Sequence, residues 1–185
     1  TRPLLQGAIA TIVFVLMLSI ILTIVFISRE RFERANQKLG ALYKQMRTQA
    51  MFDALTGLPS RPMFFDHLSK ELSAARRNDK SVALLFLDLD GFKLINDEFG
   101  HDAGDSVLKT VAKRWLGSVR EIDTVARLGG DEFAIIVGNL DGCESIANIA
   151  QKLIDVLHAD IELPDGRFVH VGTSIGIAIY PDNGT

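Results

Sequence analysis

Two glycines set between two runs of strand-forming residues constrain this chain most. Thr124, Val125 and Ala126 precede Arg127-Leu128-Gly129-Gly130-Asp131-Glu132, and Phe133, Ala134, Ile135, Ile136 and Val137 follow. Paired glycines supply the positive φ angles of tight turns, so the stretch predicts a β-hairpin. Most hairpin tips need only solvent. Here Asp131 and Glu132 come directly after the glycines, where bare backbone lets a bulky anion approach closely. Such a tip is either a polar turn or a platform for chemistry.

The pattern around the hairpin is α+β. Gly57 and Pro59 break whatever precedes them, and Ser60 with Pro62 starts a helix running to about Arg77. Ser81 to Leu89 is an almost continuous apolar run, the mark of a strand buried on both faces. A loop and short helix follow over 90–97, then helices over Ala103 to Val119 and Cys143 to His158. A strand pair around Arg167 to Ile179 completes the order. Hairpins within this order argue for an antiparallel or mixed sheet flanked by helices, not a doubly wound parallel one.

Upstream the chain changes character. From Gly7 to Ile27 there is no charged residue, and about 30 Å of helix at 1.5 Å per residue spans a bilayer core. Residues 7–27 are therefore expected to be a transmembrane helix in contact with membrane lipid, with 1–6 the end of a preceding region. Arg29, Arg31, Arg34 and Lys38 follow the span and only Arg2 precedes it, so the C-terminal side is expected in the cytoplasm, at the inner membrane. Over 28–52, Phe32, Ala35, Leu39, Leu42 and Met46 step by three and four, as in the seam of a short coiled-coil stalk, and a solvated linker helix is the plainer reading. Residues 53–185 form the remaining domain. The ends, Thr1 without a methionine and Thr185 after a Pro-Asp-Asn-Gly turn, are read as cuts in a longer protein, with a closing helix missing.

The net charge of −3 gives no sign of non-specific nucleic-acid binding, and one cysteine, Cys143, excludes an internal disulfide. Without a His/Cys cluster, a metal would have to be held by carboxylates: Mg²⁺, Mn²⁺ or Ca²⁺. Leu87-Asp88-Leu89-Asp90 delivers two acids at a strand end, and alternation sends Asp88 and Asp90 to one side. If this strand neighbours the hairpin, Asp88 and Asp131 converge, and crowded carboxylates call for a divalent cation. The bare glycine turn would seat a phosphate beside it, the arrangement of phosphoryl-transfer sites.

Gly129-Gly130-Asp131-Glu132-Phe133 resembles the signature of the GGDEF family of diguanylate cyclases. The resemblance extends from Asp53 to Thr185. Asp53-Ala54-Leu55-Thr56-Gly57-Leu58-Pro59-Ser60-Arg61 is similar to the opening motif, with Ser60 where Asn is usual. Asp88-Leu89-Asp90-Gly91-Phe92-Lys93, Asn96-Asp97, Gly100-His101 and Gly104-Asp105 follow in order.

The resemblance implies a palm-like mixed sheet, as in nucleotide cyclases and polymerases, and condensation of two GTP into cyclic di-GMP by a homodimer. It implies Mg²⁺ (or Mn²⁺) on Asp88, the Leu89 carbonyl and Asp131, with Asp131 the base, Glu132 assisting and Lys93 stabilising phosphate charge. Asn96 and Asp105 would read guanine, with His101, Phe92, Gly129 and Gly130 at the substrate. Guanine's N1–H and N2–H₂ donors suit a carboxylate, and adenine lacks that pair. Arg120-Glu121-Ile122-Asp123 resembles the inhibitory product site, in which Arg120 and Asp123 bind cyclic di-GMP. Bland roles stand beside these: Asn96 as a helix cap, Asp105 as a helix-start acid, Lys93 as surface charge, and Phe92, Phe133 and Trp115 as core. A non-catalytic GTP- or cyclic di-GMP-binding domain, with or without a downstream phosphodiesterase, is the alternative function.

Overall fold

The computed structural model describes Met17 and residues 26–34, 37–38, 51–140 and 143–183, the side chains of 139 and 143–145 excepted. The chain divides into two compact units, Thr1–Thr48 and Gln49–Thr185. In the first, residues 26–34 are helical, and Arg29–Glu33 and Arg34–Glu30 pair one turn apart at 3.0 and 2.8 Å. Apart from Met17, Phe26 and Ile27, the expected membrane span lies outside the described residues, as do the stalk positions Ala35, Leu39, Leu42 and Met46. Among the described residues no helix is long and apolar enough to cross a membrane.

The second unit runs α1 (Arg61–Asn78), β1 (Ser81–Asp90), α2 (Phe92–Phe99), α3 (His101–Leu116), β2 (Thr124–Gly129), β3 (Glu132–Leu140), α4 (Cys143–Asp155), β4 (Ile161–Glu162), β5 (Phe168–Val169) and β6 (Gly172–Tyr180). The main sheet has the order β2-β3-β1-β6. Every neighbouring pair is antiparallel, so the expected mixed sheet is an antiparallel one. The predicted closing strand pair over 167–179 also resolves differently. β5 pairs with the two-residue β4, whereas β6 crosses back to lie beside β1. A strand with apolar residues on both faces needs partners on both sides, and β1 finds them in β3 and β6.

The two faces of the sheet bury different clusters. Leu85, Leu87 and Leu89 of β1 and Phe133, Ile135 and Val137 of β3 pack with Val107, Val111, Trp115 and Leu153. Trp115 stands edge-on to Phe133 at 5.0 Å between centroids, and its indole N–H donates to the Leu153 carbonyl at 2.9 Å. This contact satisfies the polar end of a fully buried ring. On the other face α1 covers only part of the sheet, through Phe64, Ala75, Val82, Ala126, Ala134 and Ile136. Where α1 stops, Phe86, Asp88 and Asp90 stand exposed.

The segment before α1 closes on itself and on the hairpin. Asp53 Oδ1 accepts the Thr56 amide at 2.8 Å and its hydroxyl at 2.6 Å, and the Asp53 amide donates to Leu58 O at 2.8 Å. Gly57, with φ of +72°, makes the reversal. Arg127 joins this loop to the tip. Nη1 reaches both Asp53 oxygens at 2.9 and 3.1 Å, and Nε and Nη2 donate to Gly130 O at 3.0 and 2.7 Å. The Arg127 amide meets Pro59 O at 2.9 Å. Side-chain exposure is only 11% for Arg127 and 23% for Asp53, so water screens the pair weakly. Burial works against the Asp53 charge. The Thr56 hydroxyl and amide and the Arg127 guanidinium outweigh it and hold the carboxyl below its usual 3.8.

A lowered folded-state value means that the stabilisation is present above the unfolded value and is lost as pH falls through the folded one. Asp53→Asn should therefore cost about 1–3 kcal/mol at neutral pH, and the gap from the native chain should close below about pH 4. Urea unfolding across pH checks this; a gap that persists undiminished into strong acid would refute the ion pair as its source.

Candidate active site

Alternation along β1 buries Leu85, Leu87 and Leu89 and exposes Phe86, Asp88 and Asp90. Both carboxylates therefore leave on one face, as their spacing predicts. β3 lies alongside with Glu132 directly opposite Asp88. The tip differs from the simplest reading in one respect. Gly129 pairs with Glu132 and the register shifts between Arg127 and Gly129, so the turn residues are Gly130 and Asp131. Gly129 and Gly130 have φ of 144° and 55°, which favour glycine at both positions. Asp131 sits in the turn itself, one residue beyond the Asp88–Glu132 pair.

Asp88, Asp90, Asp131 and Glu132 thus all lie at the end of two adjacent strands. Burial, then the charges of Asp131, Glu132 and Asp90, push the Asp88 carboxyl above its usual range. Carboxylates crowded in this way favour a cation among them, and an all-oxygen donor set suits a hard divalent ion. Among the described residues no ready-made group of three ligands is formed, so an ion would draw the side chains inward. Leu89, whose carbonyl the resemblance assigns to the metal, is buried through its side chain and paired in register with Thr173. Asp90 is anchored to β6 instead: Ser174 Oγ donates to its Oδ1 at 2.9 Å. Beside these acids opens a cavity of about 480 Å³ lined by Arg61, Phe86, Asp88, Leu128, Glu132 and Ser174, among others. Its size falls in the range of small-molecule sites. Arg61 and Ser174 are missed by motif reading because their partners lie 71 and 84 residues away in sequence.

The expected base-reading residues gather elsewhere, at the corner between α2 and α3. Gly100, with φ of 86°, ends one helix and begins the next, and its amide donates to Asn96 O at 3.0 Å. The cap is Gly100, which leaves the Asn96 side chain available. Its amide rests on Gly104, where an added Cβ would lie 2.0 Å from Asn96 Oδ1. Asp105 follows Gly104 and is exposed, as are His101 and Lys93. Phe92 is buried in the main cluster, so its side chain is core.

The expected product site lies at the other end of β2. Asp123 is 8% exposed; its Oδ2 accepts the Arg120 amide at 2.9 Å, while Oδ1 is buried without a hydrogen-bond partner. Burial pushes this carboxyl up, against the Arg120 amide and guanidinium and the Gly138 amide, which favour its charge. A 330 Å³ cavity opens here, lined by Ser118, Arg120, Asp123, Asn148 and Lys152 among others. Lys152 was not anticipated; its ammonium donates to Ser118 O at 2.7 Å. An orphaned buried oxygen is costly unless something donates to it. A guanine edge carries such donors.

Comparison with known proteins gives a consistent answer. Residues 50–185 match the family described as "Diguanylate cyclase, GGDEF domain". Diguanylate cyclase TpbB of Pseudomonas aeruginosa is 46% identical over 135 residues, which are 73% of this chain and 31% of TpbB. MucR of the same organism, named a bifunctional diguanylate cyclase and cyclic di-GMP phosphodiesterase, is 40% identical over 82% of this chain and 21% of its own length. The chain thus spans a third or less of these relatives. Among solved structures, the isolated GGDEF domain of P. aeruginosa TpbB superposes with a TM-score of 0.71 at 45% identity, covering 72% of this chain and 77% of that one. The GGDEF domain of Caulobacter crescentus DgcB, solved in complex with c-di-GMP, gives 0.66 at 28% identity, covering 70% and 77%.

The Gly104 contact generates a test. Gly104→Ala should displace the Asn96 amide; on the base-reading role that the resemblance implies for Asn96, the half-saturating GTP concentration should rise about tenfold, the effect of losing one hydrogen bond to the base. The fold should survive, because Ala favours a helix over Gly by about 1 kcal/mol. Unchanged GTP affinity in a folded variant would separate Asn96 from base recognition.

Proposed function

The chain belongs to the GGDEF family, the domain family of diguanylate cyclases, and from that premise we propose that it condenses two GTP into cyclic di-GMP with release of two pyrophosphates. The observation that carries the reading is the register setting Glu132 opposite Asp88, with Asp131 in a glycine turn one residue beyond. The chemistry is a double displacement. Each 3′-hydroxyl oxygen bonds to the α-phosphorus of the other nucleotide as the bond to pyrophosphate breaks. Asp131 takes the hydroxyl proton, and Asp88, the Leu89 carbonyl and Asp131, with Glu132 assisting, would hold the divalent ion, for which we propose Mg²⁺ or Mn²⁺. That ion, when bound, activates the hydroxyl and neutralises charge developing on phosphate oxygens.

Lys93, at the start of α2, adds positive charge near the phosphates, and Asn96 with Asp105 selects guanine at the helix corner. One domain carries one set of these groups, so two copies must face each other, and the working unit is a homodimer. Arg120 and Asp123 bind the product and inhibit, a reading supported by the cavity that both residues line. Residues 7–27 tether the enzyme to the inner membrane with residues 53–185 in the cytoplasm, a reading supported by the basic residues that follow the apolar run. A binding-only regulatory domain is the alternative; the bifunctional name of MucR supports a phosphodiesterase joined to such a domain, not a loss of cyclase activity.

Turnover decides between them. Asp131→Ala should lower cyclic di-GMP synthesis by more than about a hundredfold without changing the unfolding midpoint, measured by chromatography of product formed from GTP and Mg²⁺. Native-level synthesis by this variant would overturn the mechanism, and a native chain without turnover would favour the binding-only alternative. Arg120→Ala should leave synthesis intact and weaken product inhibition by tenfold or more, about 1.4 kcal/mol. An unchanged inhibition curve would remove the product site from Arg120.

A further inference from the structure

Arg61 brings a guanidinium to the acid cluster from the first turn of α1. Its Nε donates to Leu128 O at 3.3 Å, and Nη2 reaches Glu132 Oε2 at 3.1 Å. Among the described residues lining the 480 Å³ cavity it is the one cation. The Arg61 and Glu132 side chains are 53% and 55% exposed, and a pair this wet contributes about 0–1 kcal/mol. Such a contact does little for the fold and exchanges easily. A planar guanidinium also matches phosphate oxygens two at a time. A divalent ion drawn to the carboxylates competes for the same Glu132 oxygens, which turns the guanidinium toward whatever polyphosphate accompanies it.

We infer that Arg61 is a substrate-positioning residue that grips the phosphates beyond the α-phosphate, exchanging Glu132 for them when the nucleotide enters. The inference rests on the GTP-dependent reading of this site and adds a residue to it. It differs from a structural role for Arg61 in one respect: the grip is felt only by nucleotides that carry those phosphates.

Calorimetric titration of the full chain with α,β-methylene-GTP and with GMP, at saturating Mg²⁺, tests this. Arg61→Ala should raise the Kd of the triphosphate analogue about ten- to hundredfold and leave that of GMP unchanged, while Arg61→Lys should recover part of the loss. Mn²⁺ binding to the nucleotide-free chain, followed by electron paramagnetic resonance, should be as tight or tighter in Arg61→Ala, because Glu132 has lost a competing cation. Equal weakening of both nucleotides, an unchanged analogue affinity or weakened Mn²⁺ binding would each overturn the inference, leaving Arg61 a support for Glu132. A native chain that binds neither nucleotide would overturn the functional reading itself, which distinguishes the two failures.

Discussion

The Arg127 guanidinium is the contact on which the geometry of this domain depends. It bonds simultaneously to the Asp53 carboxylate and the Gly130 carbonyl, joining residues 74 apart in sequence to a turn three residues away. A hairpin tip built on two glycines has little stiffness of its own, since glycine restricts φ and ψ least. The guanidinium supplies that stiffness from outside the turn. The other end of the contact belongs to the loop before α1, so the tip is braced by a distant segment of the same unit.

Much of this was legible in the sequence because the signals were local. Ser60 and Pro62 mark the start of α1, alternation around Asp88 and Asp90 places both acids on one face, and the glycines mark the tip. What was not legible depends on partners distant in sequence. The apolar run of β6 announces a strand without naming its neighbour, and that neighbour proved to be β1, not β5. Arg61 stood in view within the opening motif, yet nothing near it in sequence reveals that Glu132 lies within reach. Helix ends shifted for a similar reason. α3 begins at His101, ahead of the expected Ala103, because Gly100 caps two helices at once and leaves no linker between them.

The site concentrates negative charge, and among the described residues lining its cavity Arg61 alone brings a positive one. Asp88 faces Asp131, Glu132 and Asp90, and its raised affinity for protons records burial first and their repulsion second. Stability alone would favour a neutral side chain at such a place, and departures from the locally favourable choice are where function is expected to lie. Asp123 repeats the theme at the opposite end of β2, where burial raises the carboxyl. The two poorly satisfied carboxylate regions flank a single six-residue strand, about 20 Å long at the usual rise. A ligand that satisfies one of them therefore acts on an element continuous with the other.

The strict antiparallel pairing of β1 with both β3 and β6 has an evolutionary corollary. Because side chains alternate with a period of two, adding or removing one residue within β1 would turn Asp88 inward and a leucine outward along the rest of the strand. From Ala83 to Asp88 the two neighbours hold that register from both sides; the one shift in the β3 ladder lies between Ser81 and Ala83, before the acids. Variation in this strand is thus confined to exchanging one side chain for another at constant length, while differences in length must accumulate elsewhere, in connections such as that between β4 and β5.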